Sequence, residues 1–292
     1  MPELPEVEAL SLFLNERCAG ERIERCELAS FAALKTFDPP LDALVGTTIR
    51  SVGRRGKYLI FGIDEFQLVI HLARGGWVKW WESLPEKKAR AGSRGPLALR
   101  VGLAAEDLAP SPGFDVTEAG TEKRLAIWLV RDVNDIENVA TLGPDPLEAG
   151  FDAGELGRLL ARESGTVKNA LVRQSVIAGV GNAYSDEALH AARLSPFKTA
   201  NRLSEEEVAR LHDALVSVLA DAVERERGMS ANSLKGDKKR SMQVHGRTGE
   251  ACPVCGDVIR EVSFATKSLQ YCATCQTGGK PLADRRLSRL IK

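Results

Sequence analysis

The chain is predicted to be an α+β multidomain protein with a β-rich N-terminal part, a helical middle and a C-terminal β-hairpin zinc finger. Three observations predict this. Strand-like apolar segments are confined to the part before about Arg131, apolar residues fall at helical spacing between about Leu156 and Arg227, and two C-x-x-C turns lie near the C-terminal end.

In the first part, residues 58–63, 66–72, 77–81, 97–103 and 125–130 read as strands, which predicts a β-sandwich or barrel. Gly143-Pro144-Asp145-Pro146 is rich in turn formers and marks a hinge. Beyond it, Leu156, Leu159 and Leu160, then Leu203, Val208, Leu211, Leu215, Val218, Leu219 and Val223, recur at helical spacing. Ser204 with Glu207 forms a capping box that opens the second run, and Gly228 is placed to stop it. The expected divisions are residues 1–131 for the β-rich domain, 132–150 for the hinge, 151–243 for the helical domain, 244–277 for the finger and 278–292 for a basic tail.

The finger is Cys252-Pro-Val-Cys255, sixteen residues, then Cys272-Ala-Thr-Cys275. Zinc takes four soft ligands in a tetrahedron, and two C-x-x-C turns joined by a hairpin supply them. Val258, Ile259, Val262, Phe264 and Tyr271 make the spacer a strand pair. Disulfides or a redox pair are the alternative, although redox C-x-x-C motifs usually occur singly, and Cys18 and Cys26 are scattered like core cysteines. With no ligand position left open, one structural zinc is expected, holding a fold and doing no chemistry.

A length of 292 residues with 43% hydrophobic and 27% charged residues suits two or three domains. The first apolar run, Leu10 to Leu14, is short and follows Glu3, Glu6 and Glu8, so no secretory leader is expected. No stretch reaches the ~20 apolar residues of a membrane helix. A cytoplasmic, reducing location follows, which favours metal thiolates over disulfides.

The net charge is zero, but residues 225–292 carry 14 Lys and Arg against 6 Asp and Glu. A basic finger with a basic approach (Lys235, Lys238, Lys239, Arg240) and a basic tail (Arg285, Arg286, Arg289, Lys292) suits phosphate binding, and a merely solvated tail is the alternative. Upstream, Gly179-Val180-Gly181-Asn182 precedes a helix over residues 183–192. Glycines let backbone N–H groups approach an anion at the positive end of that helix, so the segment reads as a phosphate cradle or as a packing turn.

Met1-Pro2-Glu3-Leu4-Pro5-Glu6 offers a further chemistry. Initiator methionine is trimmed before a small residue, which would leave Pro2 with a secondary amine. An α-amino group has an ordinary pKa near 8, so part of it is neutral at pH 7. Attack on a sugar C1′ would give an iminium, with Glu3 adjacent to move protons. Proline and acidic residues at a helix start are also ordinary capping.

Pro2-Glu-Leu-Pro-Glu-Val-Glu8, Gly53-Arg-Arg-Gly-Lys-Tyr-Leu59, Ile177-Ala-Gly-Val-Gly-Asn-Ala-Tyr184, Val244-His-Gly-Arg-Thr-Gly-Glu250 and the four-cysteine finger occur together and in order. With these motifs the chain resembles the formamidopyrimidine-DNA glycosylase/endonuclease VIII family of base-excision repair enzymes, on the formamidopyrimidine branch. The resemblance spans nearly the whole chain. It implies an N-terminal β-sandwich, a helix-two-turns-helix domain and a zinc finger. It also implies a bifunctional glycosylase and AP lyase acting on damaged double-stranded DNA with a flipped nucleotide, as a nucleoid-associated monomer. By position, Pro2 is the implied Schiff-base nucleophile, Glu3 the general acid/base and Lys57 a proton donor or phosphate contact. Asn182 and Lys168 are the implied phosphate contacts.

Several positions depart from the family pattern. On the hairpin tip Lys267 stands where the family has an arginine that assists δ-elimination, and lysine lacks the bidentate fork. In His71-Leu72-Ala73-Arg74, Arg74 replaces a void-filling methionine, and in Lys123-Arg124-Leu125 the family's arginine–phenylalanine pair becomes Arg124 and Leu125. Arg74, Arg124 and Leu125 are therefore expected to fill the space left by the flipped base and to read the opposite strand. Arg173 stands where acidic or amide residues are usual, and the tail beyond Thr277 is longer than in many relatives. These changes keep open an alternative, a catalytically weakened protein that binds damaged or abasic DNA.

Overall fold

The computed structural model describes residues 1–89, 92, 95–105, 111–234, 241–264 and 268–283. The chain divides into two compact units, one of Met1–Thr141 with Val223–Lys235, the other of Leu142–Ala222 with Gly236–Lys292. No helix among the described residues is long and apolar enough to cross a membrane.

The first unit opens with α1 (Leu4–Cys18). Its start is a reciprocal cap: Glu3 accepts the backbone N–H of Glu6, and the Glu6 carboxylate accepts that of Glu3 at 2.6 Å. Leu4, Val7, Leu10 and Leu14 are buried along it. Eight strands follow: β1 (Ile23–Leu28), β2 (Ile49–Arg55), β3 (Tyr58–Ile63), β4 (Phe66–His71), β5 (Gly76–Trp81), β6 (Leu97–Leu103), β7 (Gly113–Glu118) and β8 (Ala126–Val130). They form two four-stranded antiparallel sheets, ordered β1-β6-β7-β5 and β2-β3-β4-β8. Phe61 of β3 stacks on Phe114 of β7 at 5.1 Å, so the two inner faces share one core. This is the β-sandwich expected.

Three of these strands were not legible as strands, each for a reason visible in the structure. β1 and β2 are largely polar, with little buried beyond Ile23, Ile49 and Val52. β7 carries Asp115 at a buried position, which breaks the apolar pattern. Arg100 of β6 makes that position tolerable by donating to both Asp115 oxygens at 2.7 and 2.8 Å, and Trp81 adds its indole N–H at 3.0 Å.

The second unit contains α3 (Ala153–Ala161), α4 (Val167–Val172), α5 (Asn182–Ala191) and most of α6 (Glu205–Glu226), after a short α2 (Glu137–Ala140) that belongs to the first unit. Asp152 caps α3 by accepting Glu155 N–H at 2.7 Å, and Thr166 caps α4. The Ser204–Glu207 box forms in both directions, and Gly228 lies at φ +77° just past the end of α6. The finger is a two-stranded antiparallel hairpin, β9 (Ile259–Ser263) and β10 (Ser268–Cys272), leading into α7 (Ala273–Thr277).

Candidate active site and nucleic-acid interface

The N-terminus is built by α1. Because Glu3 is its cap, the carboxylate sits at the N-terminal end of the helix. Glu3 is 3% exposed, Pro2 is half-buried, and Met1 is 51% exposed, within reach of a trimming enzyme. Two bonds dock α1 on β2: Glu8 pairs with Arg54 at 2.5 Å, and Asn15 accepts Val52 N–H at 2.8 Å.

Lys57 is the second residue of the tight β2–β3 turn, where Gly56 has φ +55°, and it is only 6% exposed. It lies near enough to His71 for its charge to act there. Burial first, and the Lys57 ammonium second, push the His71 imidazole down to about 4 from an ordinary 6.5. His71 pairs with Tyr58 across β3–β4, their rings 4.8 Å apart. His71 stands in the sequence only as part of the His71-Leu72-Ala73-Arg74 stretch; the β3–β4 register pairs it with Tyr58, the residue next to Lys57.

The expected void-filling residues divide between surface and core. Arg74 and Arg124 are exposed. Arg74 rides on a tight loop in which Ala73 takes φ +51°, and a side chain on Gly75 or Gly76 would strike the Ala119 or Leu72 carbonyl at 2.3 and 2.1 Å. Leu125 is 2% exposed and belongs to the sandwich core, beside Gly76. Leu125, expected as an apolar wedge, here packs among the core side chains. Buried Glu118 accepts the N–H groups of Arg124 at 2.6 Å and Leu125 at 2.8 Å, turning Leu125 inward and leaving Arg124 on the surface.

In the second unit, Gln174 ties the glycine loop. Its amide accepts Gly179 N–H at 3.0 Å and donates to Val172 O at 3.0 Å and Val180 O at 2.7 Å, with Gly179 at φ +85°. The loop runs into α5 at Asn182, whose amide donates to Ser268 O of β10 at 2.8 Å. Lys168 was expected to contact phosphate. It is instead 6% exposed, and its ammonium donates to Asp186 at 2.6 Å, Ser185 Oγ at 2.9 Å and Asn182 O at 3.0 Å. All three donors of the lysine are thus taken up beneath the cradle.

Asp186 and Glu187, which the sequence reading passed over, carry much of the packing. Asp186 also meets His245 Nδ1 at 2.8 Å and accepts Gln270 N–H at 3.3 Å. Glu187 accepts the N–H groups of Gln243, Val244 and His245 at 2.7–3.0 Å. Lys267 and the basic residues 235–240 and 285–292 lie outside the described residues.

The four sulfurs of Cys252, Cys255, Cys272 and Cys275 lie within 4.8 Å of one another. Cys252 and Cys275 are 3.9 Å apart and Cys255 and Cys272 3.3 Å, close to the ~3.8 Å edge of a tetrahedron with ~2.3 Å zinc–sulfur bonds. The donor set is all thiolate and closed, so the site holds a structural zinc. Cys18 and Cys26 are free, their thiols pushed up to about 12 by burial.

Three family models match in order: the formamidopyrimidine-DNA glycosylase N-terminal domain over residues 1–107, the formamidopyrimidine-DNA glycosylase H2TH domain over 142–233, and the zinc finger found in FPG and IleRS over 249–278. Formamidopyrimidine-DNA glycosylase of Desulfitobacterium hafniense is 34% identical over 289 residues, covering 94% of this chain and all of that protein. An uncharacterized formamidopyrimidine-DNA glycosylase-like protein of Mycobacterium tuberculosis is 58% identical over 151 residues, which are 52% of this chain and 94% of that protein. The Lactococcus lactis glycosylase crystallised with FAPY-dG DNA superposes with a TM-score of 0.81 at 29% identity, covering 94% of this chain and 100% of that one. With three domain models in register and a relative matched over its full length, the chain belongs to the formamidopyrimidine-DNA glycosylase family.

Proposed function

We propose that the protein is a base-excision repair DNA glycosylase with AP-lyase activity, acting as a monomer on oxidised or ring-opened bases in duplex DNA. The observation that carries the reading is the N-terminus: Pro2 is followed by a buried carboxylate, Glu3, fixed as the cap of α1. Solved complexes of the Lactococcus lactis relative with abasic-site and FAPY-dG DNA support the substrate class.

The chemistry starts once Met1 is removed. The neutral Pro2 amine attacks C1′ of a flipped nucleotide, and the C1′–base bond breaks with its electron pair leaving on the base. The departing base takes a proton from solvent, and the Glu3 carboxylate takes the proton that the Pro2 nitrogen sheds on bonding C1′ and passes it to O4′, which opens the sugar ring and leaves an iminium between Pro2 and C1′. Loss of a C2′ proton expels the 3′ phosphate, and water releases Pro2. Lys57, buried and beside His71, supplies positive charge near the departing phosphate. Asn182, at the head of α5 behind the Gln174-tied loop, holds a phosphate of the damaged strand, and Arg74 and Arg124 face the opposite strand.

Incubation with a duplex containing one ring-opened purine tests the reading through two products, the free base and a nicked strand. Tight binding with neither product would favour the alternative, a damaged-DNA binder without excision.

A further inference from the structure

The zinc finger is held to α5 by a contact that the glycosylase reading does not use. His190, in the last turn of α5, is 5% exposed, and its Nε2 lies 3.3 Å from Sγ of Cys252. We propose that His190 is an outer-sphere partner of the structural zinc, donating Nε2–H to the Cys252 thiolate and thereby positioning that ligand from outside the finger.

Four thiolates around Zn²⁺ carry a net charge of −2, and Cys252 and Cys272 are buried. Such charge is stabilised when each sulfur accepts hydrogen bonds, and partners of this kind tune and orient ligands. Cys255 receives the backbone N–H of Asp257, and Cys272 that of Cys275. Both donors come from the knuckles themselves. The donor to Cys252 is a side chain from sixty-two residues upstream. A metal-bound thiolate can only accept, so zinc fixes the imidazole tautomer with its proton on Nε2.

The consequence is structural. α5 reaches the finger through Asn182 to Ser268 O, Asp186 to Gln270 N and His190 to Cys252, and just beyond its end Leu194 O accepts the Gln276 side chain. Of these, only the His190 bond ends on a zinc ligand. It couples metal retention to the helix whose first residue is Asn182.

The test uses the full-length zinc-loaded protein. His190→Phe fills the same space without a donor, and His190→Gln keeps a side-chain N–H. Zinc release to excess chelator is expected to be 10–100 times faster in the Phe variant, with Gln intermediate. The sulfur-to-metal charge-transfer band of the cobalt-substituted Phe variant should move to lower energy. Unchanged release and an unchanged band in His190→Phe would overturn the proposal. Should that variant not fold, ¹⁵N spectra of the wild-type imidazole decide: a proton on Nε2 coupled to the metal site supports the bond, and a proton on Nδ1 with bare Nε2 overturns it.

Discussion

The ammonium of Lys168 stands 2.6 Å from the carboxylate of Asp186, and both side chains are closed to solvent at 8% and 0% exposure. Removing one partner of such a pair leaves the other charge buried and unpaired. Lys168→Met should therefore destabilise the protein by about 3–5 kcal/mol in denaturant unfolding. Because the ammonium is consumed internally, the slope of log affinity for DNA against log salt should stay as in wild type. A slope reduced by about one would mean that Lys168 meets a phosphate after all.

Leu125 and Arg74 separate a packing role from a reading role. With Leu125 in the core, Leu125→Ala should cost about 2–5 kcal/mol of stability and leave opposite-base preference unchanged. Exposed Arg74 is expected to behave the other way: Arg74→Met should flatten or redirect that preference by about 1–3 kcal/mol with stability nearly unchanged. Excision of one lesion paired in turn with each of the four bases, alongside urea melts, checks both.

How much of this was legible in the sequence follows from the range of each interaction. The four cysteines, the Ser204–Glu207 cap and strands such as Tyr58–Ile63 are encoded by neighbours in the chain, and they appear where the spacing put them. What stayed hidden depends on partners far along the chain. Asp115 is tolerable in β7 only because Arg100 lies in the next strand. Lys168 became structural through residues fourteen to eighteen positions on. Leu125 turned inward because Glu118, at the end of β7, captured its backbone N–H. Motif position identified the right loops, but it could not tell which side chain of a loop faces out.

His71 gives a pH dependence whose sign is fixed. Its folded-state value is pushed down to about 4 from an ordinary 6.5, so the unfolded chain binds the proton more tightly. Above pH 6.5 both states are neutral and the group contributes nothing. As pH falls from 6.5 toward 4, the unfolded state gains a proton that the folded state refuses, and stability drops by at most about 3 kcal/mol. Urea unfolding from pH 7 to 4 should show a shallower decline for His71→Gln. Lys57→Met should raise the His71 pKa in NMR titration without restoring 6.5, since burial is the larger cause.

Metal removal should act locally. Cys272→Ser takes away one of four thiolates and the buried centre of the finger's own cluster, which joins Val244, Cys252, Ile259 and Cys272. Zinc content should fall and DNA affinity with it, while the cooperative unfolding of the β-sandwich persists. A metal-free protein that binds DNA as tightly as wild type would show the finger to be dispensable.

If the Pro2 amine is the nucleophile, borohydride should trap it on abasic DNA. Wild-type protein without Met1, incubated with abasic-site duplex under borohydride, should be reduced to a covalent protein–DNA adduct whose attachment maps to Pro2. Pro2→Gly, or a form retaining Met1, should bind the same duplex with similar affinity and lose most of the adduct and the strand cleavage. Undiminished trapping in a form whose position-2 nitrogen is locked in an amide would contradict the account and move the chemistry to another amine, with buried Lys57 the first to examine.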